Sequence, residues 1–403
     1  MRAAPTQEEV RRQNLGVLLR HVHVLGPTSR AELTARMGLN RSTIGALTAD
    51  LAGAGLVSER APRETGKAGR PSLVVRPESN RVYVYAFSIA DDRMTAARVG
   101  LGGVVLDRRD EPAGREEHEP AEAVRRLAGF VAQLRVGVGR DAVCAGAGVA
   151  VNGLVRPSEG RIRVGHRDGW GDAPFGSDLS ATLGSIPVAV GNAADLAAMA
   201  EHTRGAAVGC DDLIYLHGDV GVGAGIISGG RPLVGHDGYA GEVGHMVVNP
   251  HGHPCPCGSR GCWETEIGEP ALLHAAGREG SGREAVLAVV DAADRGDSVA
   301  QTALRLVGDW LGLGVANLIN IFNPETVLFG GTLREVYIAA AAQVRSRLNR
   351  AALTSTREHV RLRTPQLGDN APLLGAAELA FAHLLADPLE VAARWDPVNS
   401  SPI

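Results

Sequence analysis

Four potential metal ligands fall within eighteen residues of this 403-residue chain: His245, then Cys255, Cys257 and Cys262 inside "HGHPCPCGSRGCWE" at 251–264. Thiols this close in sequence must form a disulfide knot, hold a metal, or stay as free cysteines. A knot is disfavoured because five cysteines, three of them clustered, cannot staple a chain of this length. The opening "MRAAPTQEEVRRQ" is charged and unlike a signal peptide, and no run approaches the roughly 18 apolar residues of a membrane span. A cytoplasmic, reduced setting is therefore expected, where clustered thiols more often bind metal. Structural zinc is the favoured reading, with incidental free thiols as the alternative. Cys144 and Cys210 lie in apolar surroundings and read as ordinary buried cysteines.

Charge divides unevenly along the chain. Residues 1–80 carry twelve Arg or Lys against seven Asp or Glu, whereas the whole chain has a net charge of −4. A basic head thus precedes an acidic body, and the length suggests more than one domain. Within the head, "TSRAELTARMGLNRSTIGALTADLAGAGLV" opens on a capping box, Ser29 to Glu32. A short helix follows, with Leu33 and Met37 on one face, and stops at Gly38. Asn40 then caps a second helix whose Ile44, Leu47 and Leu51 face inward, leaving Arg41, Ser42 and Thr43 in its outer first turn. This is a helix-turn-helix pattern, in which such a turn enters the major groove.

A wing follows in "GLVSERAPRETGKAGRPSLVVRP". Two short strands, near Leu56–Ser58 and Leu73–Val75, flank a Gly-rich loop that holds Lys67, the chain's only lysine, and Arg70. An Arg in such a loop suits the minor groove, so Arg41, Ser42, Thr43, Lys67 and Arg70 are the expected DNA contacts. The competing reading is a three-helix protein-interaction module with a polar hairpin.

From residue 81 strands alternate with helices. Val82, Val84 and Ala86 alternate on one strand, a helix is expected at 119–135 and a long one at 299–322, and 388–403 reads as a polar tail. The fold class is therefore α/β, a winged helix-turn-helix at 1–80 before a two-lobed body at 81–403. No short repeat is evident. The Gly-rich "DVGVGAG" and "FGGT" suit phosphate cradles or tight turns equally.

"GYAGEVGHMVVNPHGHPCPCGSRGCWE", "NLINIFNPETVLFGG" and "LGDNAPLLGAA" resemble signature segments of the ROK family (repressors, open reading frames and kinases), and the resemblance spans almost the whole chain. It implies an actin-like, sugar-kinase-type body, and the winged head points to the family's regulator branch. By the same resemblance His245, Cys255, Cys257 and Cys262 are zinc ligands in a closed structural site. Glu242, His245 and Glu264 are then sugar contacts on the same loop, with His251 and His253 as loop histidines. Asn192 takes the place of the Asn in the family's Asn-Asp pair, but Ala193 stands where kinases carry the catalytic Asp, and Asp195 is expected to point elsewhere.

The family's first phosphate loop is replaced by Ser88-Ile89-Ala90-Asp91-Asp92, and Asp219 and Val220 stand where kinases favour Gly and Thr. Added carboxylates oppose a triphosphate. The resemblance therefore implies a DNA-binding regulator, a repressor of carbohydrate-related genes that senses a sugar or sugar derivative and works as a homo-oligomer on an operator. The alternatives are an active ROK sugar kinase with an added DNA-binding domain, and a regulator whose body binds a partner protein. Arg167, in a loop that reaches the sugar in the family, turns the expected ligand toward an anionic sugar derivative.

Overall fold

The computed structural model describes residues 6–61, 72–113, 119–165 and 170–395. Helix α1 (Gln7–Leu25) begins at Thr6, whose hydroxyl accepts the Glu9 N–H while the Glu9 carboxylate returns to the Thr6 N–H at 2.7 Å. Strand β1 (Thr28–Ser29), α2 (Arg30–Met37), α3 (Arg41–Gly53), β2 (Val57–Arg60) and β3 (Val74–Pro77) complete the head, with the strands ordered β1-β3-β2. Both wing strands start one residue later than the sequence suggests, and the two-residue β1 is too short to leave a periodic signal. Only half of the expected capping box forms. Ser29 Oγ accepts the Glu32 N–H at 3.1 Å, but the Glu32 carboxylate takes Arg36 at 3.0 Å, one turn on. Leu33, Ile44, Leu47 and Leu51 are buried, as their spacing requires.

The first lobe comprises β4 (Val82–Ile89), β5 (Arg93–Gly100), β6 (Val104–Pro112), α4 (Pro120–Leu134), β7 (Val143–Val151), β8 (Gly153–Arg156), β9 (Arg161–Gly165), α5 (Phe175–Thr182) and β10 (Val188–Asn192). Helix α6 (Ala193–Arg204) leads to the second lobe. That lobe holds β11 (Leu213–Gly218), β12 (Val222–Ser228), β13 (Arg231–Pro232), α7 (Trp263–Ile267), α8 (Glu269–Ala275), α9 (Gly282–Asp294), α10 (Ser298–Phe322), β14 (Thr326–Gly331), α11 (Leu333–Ala351), α12 (Thr354–Arg357) and β15 (Arg361–Arg363). The last helices are α13 (Ala371–Ala386) and α14 (Pro388–Ala393).

Each lobe is built on a five-stranded sheet, ordered β10-β7-β4-β5-β6 in one and β13-β12-β11-β14-β15 in the other. Both are an antiparallel three-strand meander extended by two parallel strands on the side of its first strand. The same topology is thus used twice, a repeat of connections that the residues do not display. Strand β4 corrects the expected one-sided alternation. Val82, Val84 and Ala86 pack with α13, while Tyr83, Tyr85 and Phe87 fill a separate core with α4, so both faces are covered.

Helices α6 and α13 form the layer between the sheets, α6 against β11 and β12, α13 against β4 and β7. They touch closely, because a side chain on Gly375 would come within 1.9 Å of the Leu196 carbonyl oxygen. The head is seated on this layer. Leu15, Leu18, Leu19 and Val22 of α1 share one hydrophobic core with Phe381, Leu384 and Leu385 of α13.

The expected polar tail at 388–403 is partly structured. Asp387 accepts the Glu390 N–H, Pro388 occupies the first turn, and α14 packs on α1, where Arg12 reaches Asp387 at 3.6 Å. Residues 396–403 lie outside the described residues. No described helix is long and apolar enough to cross a membrane.

Candidate ligand cavity, metal centre and DNA-facing helix

A cavity of about 370 Å³ opens between the lobes, within the size range of small-molecule sites. The first lobe contributes Asn152, the Gly153 turn and Asn192; the second contributes Asp219, Glu242, His245 and Glu264. Asn192 ends β10 and caps α6. Its Oδ1 accepts the Ala194 N–H at 2.8 Å and the Asp195 N–H at 3.3 Å, while Nδ2 donates to the Gly153 carbonyl at 2.9 Å. Glu242 and His245 come from one tight turn, and Glu264 from the first turn of α7. The walls therefore combine amides with carboxylates, a donor and acceptor set suited to the hydroxyls of a polyol.

Two members of a His/Cys cluster, His245 and Cys257, lie on the wall of the same cavity. One donor atom each from His245, Cys255, Cys257 and Cys262 fit within 4.8 Å of one another, so this cluster could hold a metal ion. Cys257 Sγ and Cys262 Sγ are 3.7 Å apart, as are Cys255 Sγ and His245 Nδ1. Thiolates about 2.3 Å from a tetrahedral zinc stand roughly 3.8 Å apart, so the donors fit that ion in number, type and spacing. His245 turns Nδ1 toward the thiols and Nε2 toward Glu242, 3.8 Å away. Glu264 Oε1 is 3.0 Å from Cys255 Sγ and 3.5 Å from His245 Nδ1, so one carboxylate touches both cluster and cavity. A hydrogen bond from the Ser259 backbone N–H lowers the pKa of the exposed Cys257, whereas burial raises those of Cys255 and Cys262. His251 and His253 are exposed and outside the cluster.

A smaller cavity of about 80 Å³ adjoins the first through Asn152, His217 and Asp219. Its walls hold Asp91, Asp92, Asp219, Glu269 and Asp369, and the buried Ala193 presents a methyl group there. Arg283 pairs with Asp369 and Glu335, and Arg108 with Asp110. His217 Nε2 is 3.2 Å from Asp219; burial lowers the imidazole pKa, but the charge and hydrogen bond of Asp219 together with the charges of Asp91 and Asp369 outweigh it, and the net shift is upward. The Asp195 carboxyl is set apart from both cavities. It lines neither cavity but stands behind the wall near Glu242, pushed up to about 7 by burial first and then by the Glu242 charge.

In the head, Arg41 and Ser42 are exposed on the first turn of α3, and Thr43 is half-buried with its N–H on Asn40 Oδ1 at 2.8 Å. Ser42 Oγ donates to the same oxygen at 2.7 Å. A two-point contact between Arg30 and Glu59 ties α2 to the wing strand β2. Arg60 and Arg76 are also exposed, on the wing strands β2 and β3, whereas the sequence pointed to wing cations only in the loop. Lys67, Arg70 and Arg167 lie outside the described residues.

The ROK family profile matches residues 91–383. The chain belongs to the ROK family. This ROK protein is 28% identical to the xylose repressor of Bacillus subtilis strain 168 over 384 residues, 94% of this chain and 97% of the relative. It is 26% identical to the DNA-binding transcriptional dual regulator NagC of Escherichia coli K12, over 93% and 94% of the two chains. A solved ROK family transcriptional regulator, a homolog of the E. coli MLC protein, superposes with TM-score 0.79 at 24% identity, covering 96% of this chain and 99% of that one. A ROK glucokinase from Streptomyces griseus, in complex with glucose and AMPPNP, has TM-score 0.61 at 26% identity and covers 74% of this chain and 98% of its own. The glucokinase thus covers about as much as the body alone, whereas the regulator superposes over head and body together.

Proposed function

We propose that this ROK protein is a DNA-binding repressor of carbohydrate-related genes whose body takes a sugar or sugar derivative in the larger cavity and does not phosphorylate it. The observation that carries this reading is the pairing of a helix-turn-helix head, flanked by the wing strands β2 and β3, with a body that holds two cavities of different lining. The larger keeps a polyol-binding wall in Asn192, Glu242, His245 and Glu264. The smaller, on the side where kinases hold nucleotide, presents Ala193, which supplies no base, and five carboxylates against three arginines, an excess of negative charge that opposes a triphosphate. The relatives named as a xylose repressor and as a DNA-binding transcriptional dual regulator, similar over nearly their whole length, support the same reading.

Arg41, Ser42 and Thr43 read base edges in this scheme, with Arg60, Arg76, Lys67 and Arg70 on the phosphates or in the minor groove. His245, Cys255, Cys257 and Cys262 hold a structural zinc, which would supply cross-linking of the loop and no chemistry. Asp219, Glu242 and Glu264 favour a neutral, hydroxyl-rich ligand over the anionic one that Arg167 suggests.

The test selects an operator from a random duplex library with the full chain, then titrates D-xylose, D-glucose and N-acetyl-D-glucosamine. One of them should change operator affinity by tenfold or more, and none should be phosphorylated with ATP and magnesium. Turnover of any of these sugars with ATP would replace the repressor with the kinase; absence of any selected duplex would remove the DNA-binding function.

A further inference from the structure

The boundary between head and body contains a closed polar network within an otherwise apolar seam. His23, near the end of α1, is fully buried, and Glu378 of α13 and Arg204 of α6 are 9% and 13% exposed. His23 Nδ1 accepts the Gly102 N–H at 2.9 Å, so Nε2 carries the proton and donates to Glu378 at 3.0 Å. Arg204 Nε donates to Glu378 Oε1 at 2.6 Å, Nη1 to the Gly102 carbonyl at 3.0 Å and Nη2 to the His23 carbonyl at 3.1 Å. One guanidinium from the body thus binds a terminal carbonyl of the head's first helix, the β5–β6 turn and α13 together. The slot is shaped for it, since a side chain on Gly103, where φ is +77°, would meet Arg204 Cζ at 2.5 Å.

Arg204 is the last residue of α6, and the residue that caps the other end is Asn192, on the wall of the larger cavity. Twelve helical residues span about 18 Å. Asn192 Oδ1 is committed to the first turn of α6 and one of the two Nδ2 hydrogens to Gly153, which leaves the second N–H for a ligand. A ligand that takes this donor, or competes for Oδ1, acts on the end of the helix directly. Nor can α6 absorb the change by bending freely. Its backbone abuts Gly375 of α13 and Gly225 of β12, and Glu201, fully buried near its far end, accepts the Ala206, Gln366 and Leu367 N–H groups.

We infer that α6 transmits occupancy of the sugar cavity to the DNA-binding head, with Arg204 as the contact that delivers it. The inference rests on the sugar-responsive reading above and adds the route. Arg204 is a positioning residue, touching neither ligand nor DNA. A shift of α6 changes which carbonyls its guanidinium can hold, and with them the orientation of α1, on which α2 and α3 are packed. A brace that served only stability would be indifferent to the state of the cavity.

The test uses the full chain and the double variant Arg204→Met with Glu378→Gln, which removes both charges and leaves neither buried alone. The sugar that alters operator affinity in the parent should bind the variant within threefold of the parent's Kd, while its effect on operator affinity falls from tenfold or more to under twofold. An undiminished response in the folded variant overturns the inference. If no sugar acts on the parent, the sensing reading fails, and a ligand-free arm decides the route. Asn192→Asp keeps the cap oxygen but loses the donor to Gly153. It should speed amide exchange at 20–26 and 100–103 at least fivefold in the parent and not in the double variant. Changes confined to 188–198 overturn the inference.

Discussion

Cys262 is fully buried and Cys257 is exposed, so the same Cys→Ser replacement tests two different things. Either replacement removes one of the four ligands, and zinc measured by elemental analysis should fall from about one ion per chain toward none. Cys262→Ser should also lower the melting temperature more, since its hydroxyl is sealed in an apolar setting. Equal metal content in parent and variants would refute the zinc site. His23 gives a pH test. Burial holds its imidazole below the usual 6.5 despite the raising effect of Glu378, and protonating Nδ1 would expel the Gly102 N–H. A histidine whose folded pKa is depressed contributes stability in full above about 6.5 and loses it as pH falls toward the folded value. The Glu378 carboxyl changes in the same sense. Burial pushes it up, but the His23 and Arg204 donors hold it at about 2, so its contribution is present above about 4.5 and fades below. The His23 ring signal in an NMR titration should therefore show its midpoint below the usual 6.5, and a midpoint at or above 6.5 would contradict the network. The grouping of His245, Cys255, Cys257 and Cys262 was legible because all four fall within eighteen positions of the chain. The triad of His23, Arg204 and Glu378 was not, because its members are 355 positions apart at the widest and look individually like surface charges.

Among the elements, the crossing of α6 and α13 is set by a missing side chain. A Cβ at Gly375 would stand 1.9 Å from the Leu196 carbonyl oxygen, and backbone cannot yield as a flexible side chain can. Gly375→Ala should destabilise the body by about 1–3 kcal/mol, or more if the helices cannot separate, read as a lower denaturant midpoint. Ala at Gly129, which has open space around it in α4, should be neutral or slightly stabilising and serves as the control. Helix boundaries such as α10 and the Asn40 cap were legible from periodicity and capping residues, which act within a few positions. The doubled sheet topology was not, because a repeat of strand order places no demand on residue identity beyond burial. Strand β4 shows the same limit. Its alternation was real, but whether the second face met water or another core depended on α4, some thirty residues later.

For the molecule as a whole, head and body are not separable beads. The charge change near residue 80 marks a basic head before an acidic body. The shared core couples them, because deleting 1–80 uncovers Phe381, Leu384 and Leu385 and leaves Glu378 without His23. The 81–403 fragment should self-associate or bind a hydrophobic dye, unlike the full chain; a monodisperse, dye-silent fragment would show that the seam is dispensable. A boundary read from composition locates a change in surface, whereas the core is decided by which apolar faces meet, here one from each end of the chain. That seating has a consequence for synthesis. The helix made first, α1, finds its apolar platform only when α13 leaves the ribosome roughly 350 residues later, on the order of half a minute at usual elongation rates. Until then the nascent head carries an uncovered apolar stripe, so a translation product that stops before α13 should engage chaperones, and the capacity to seat the head arrives only with α13.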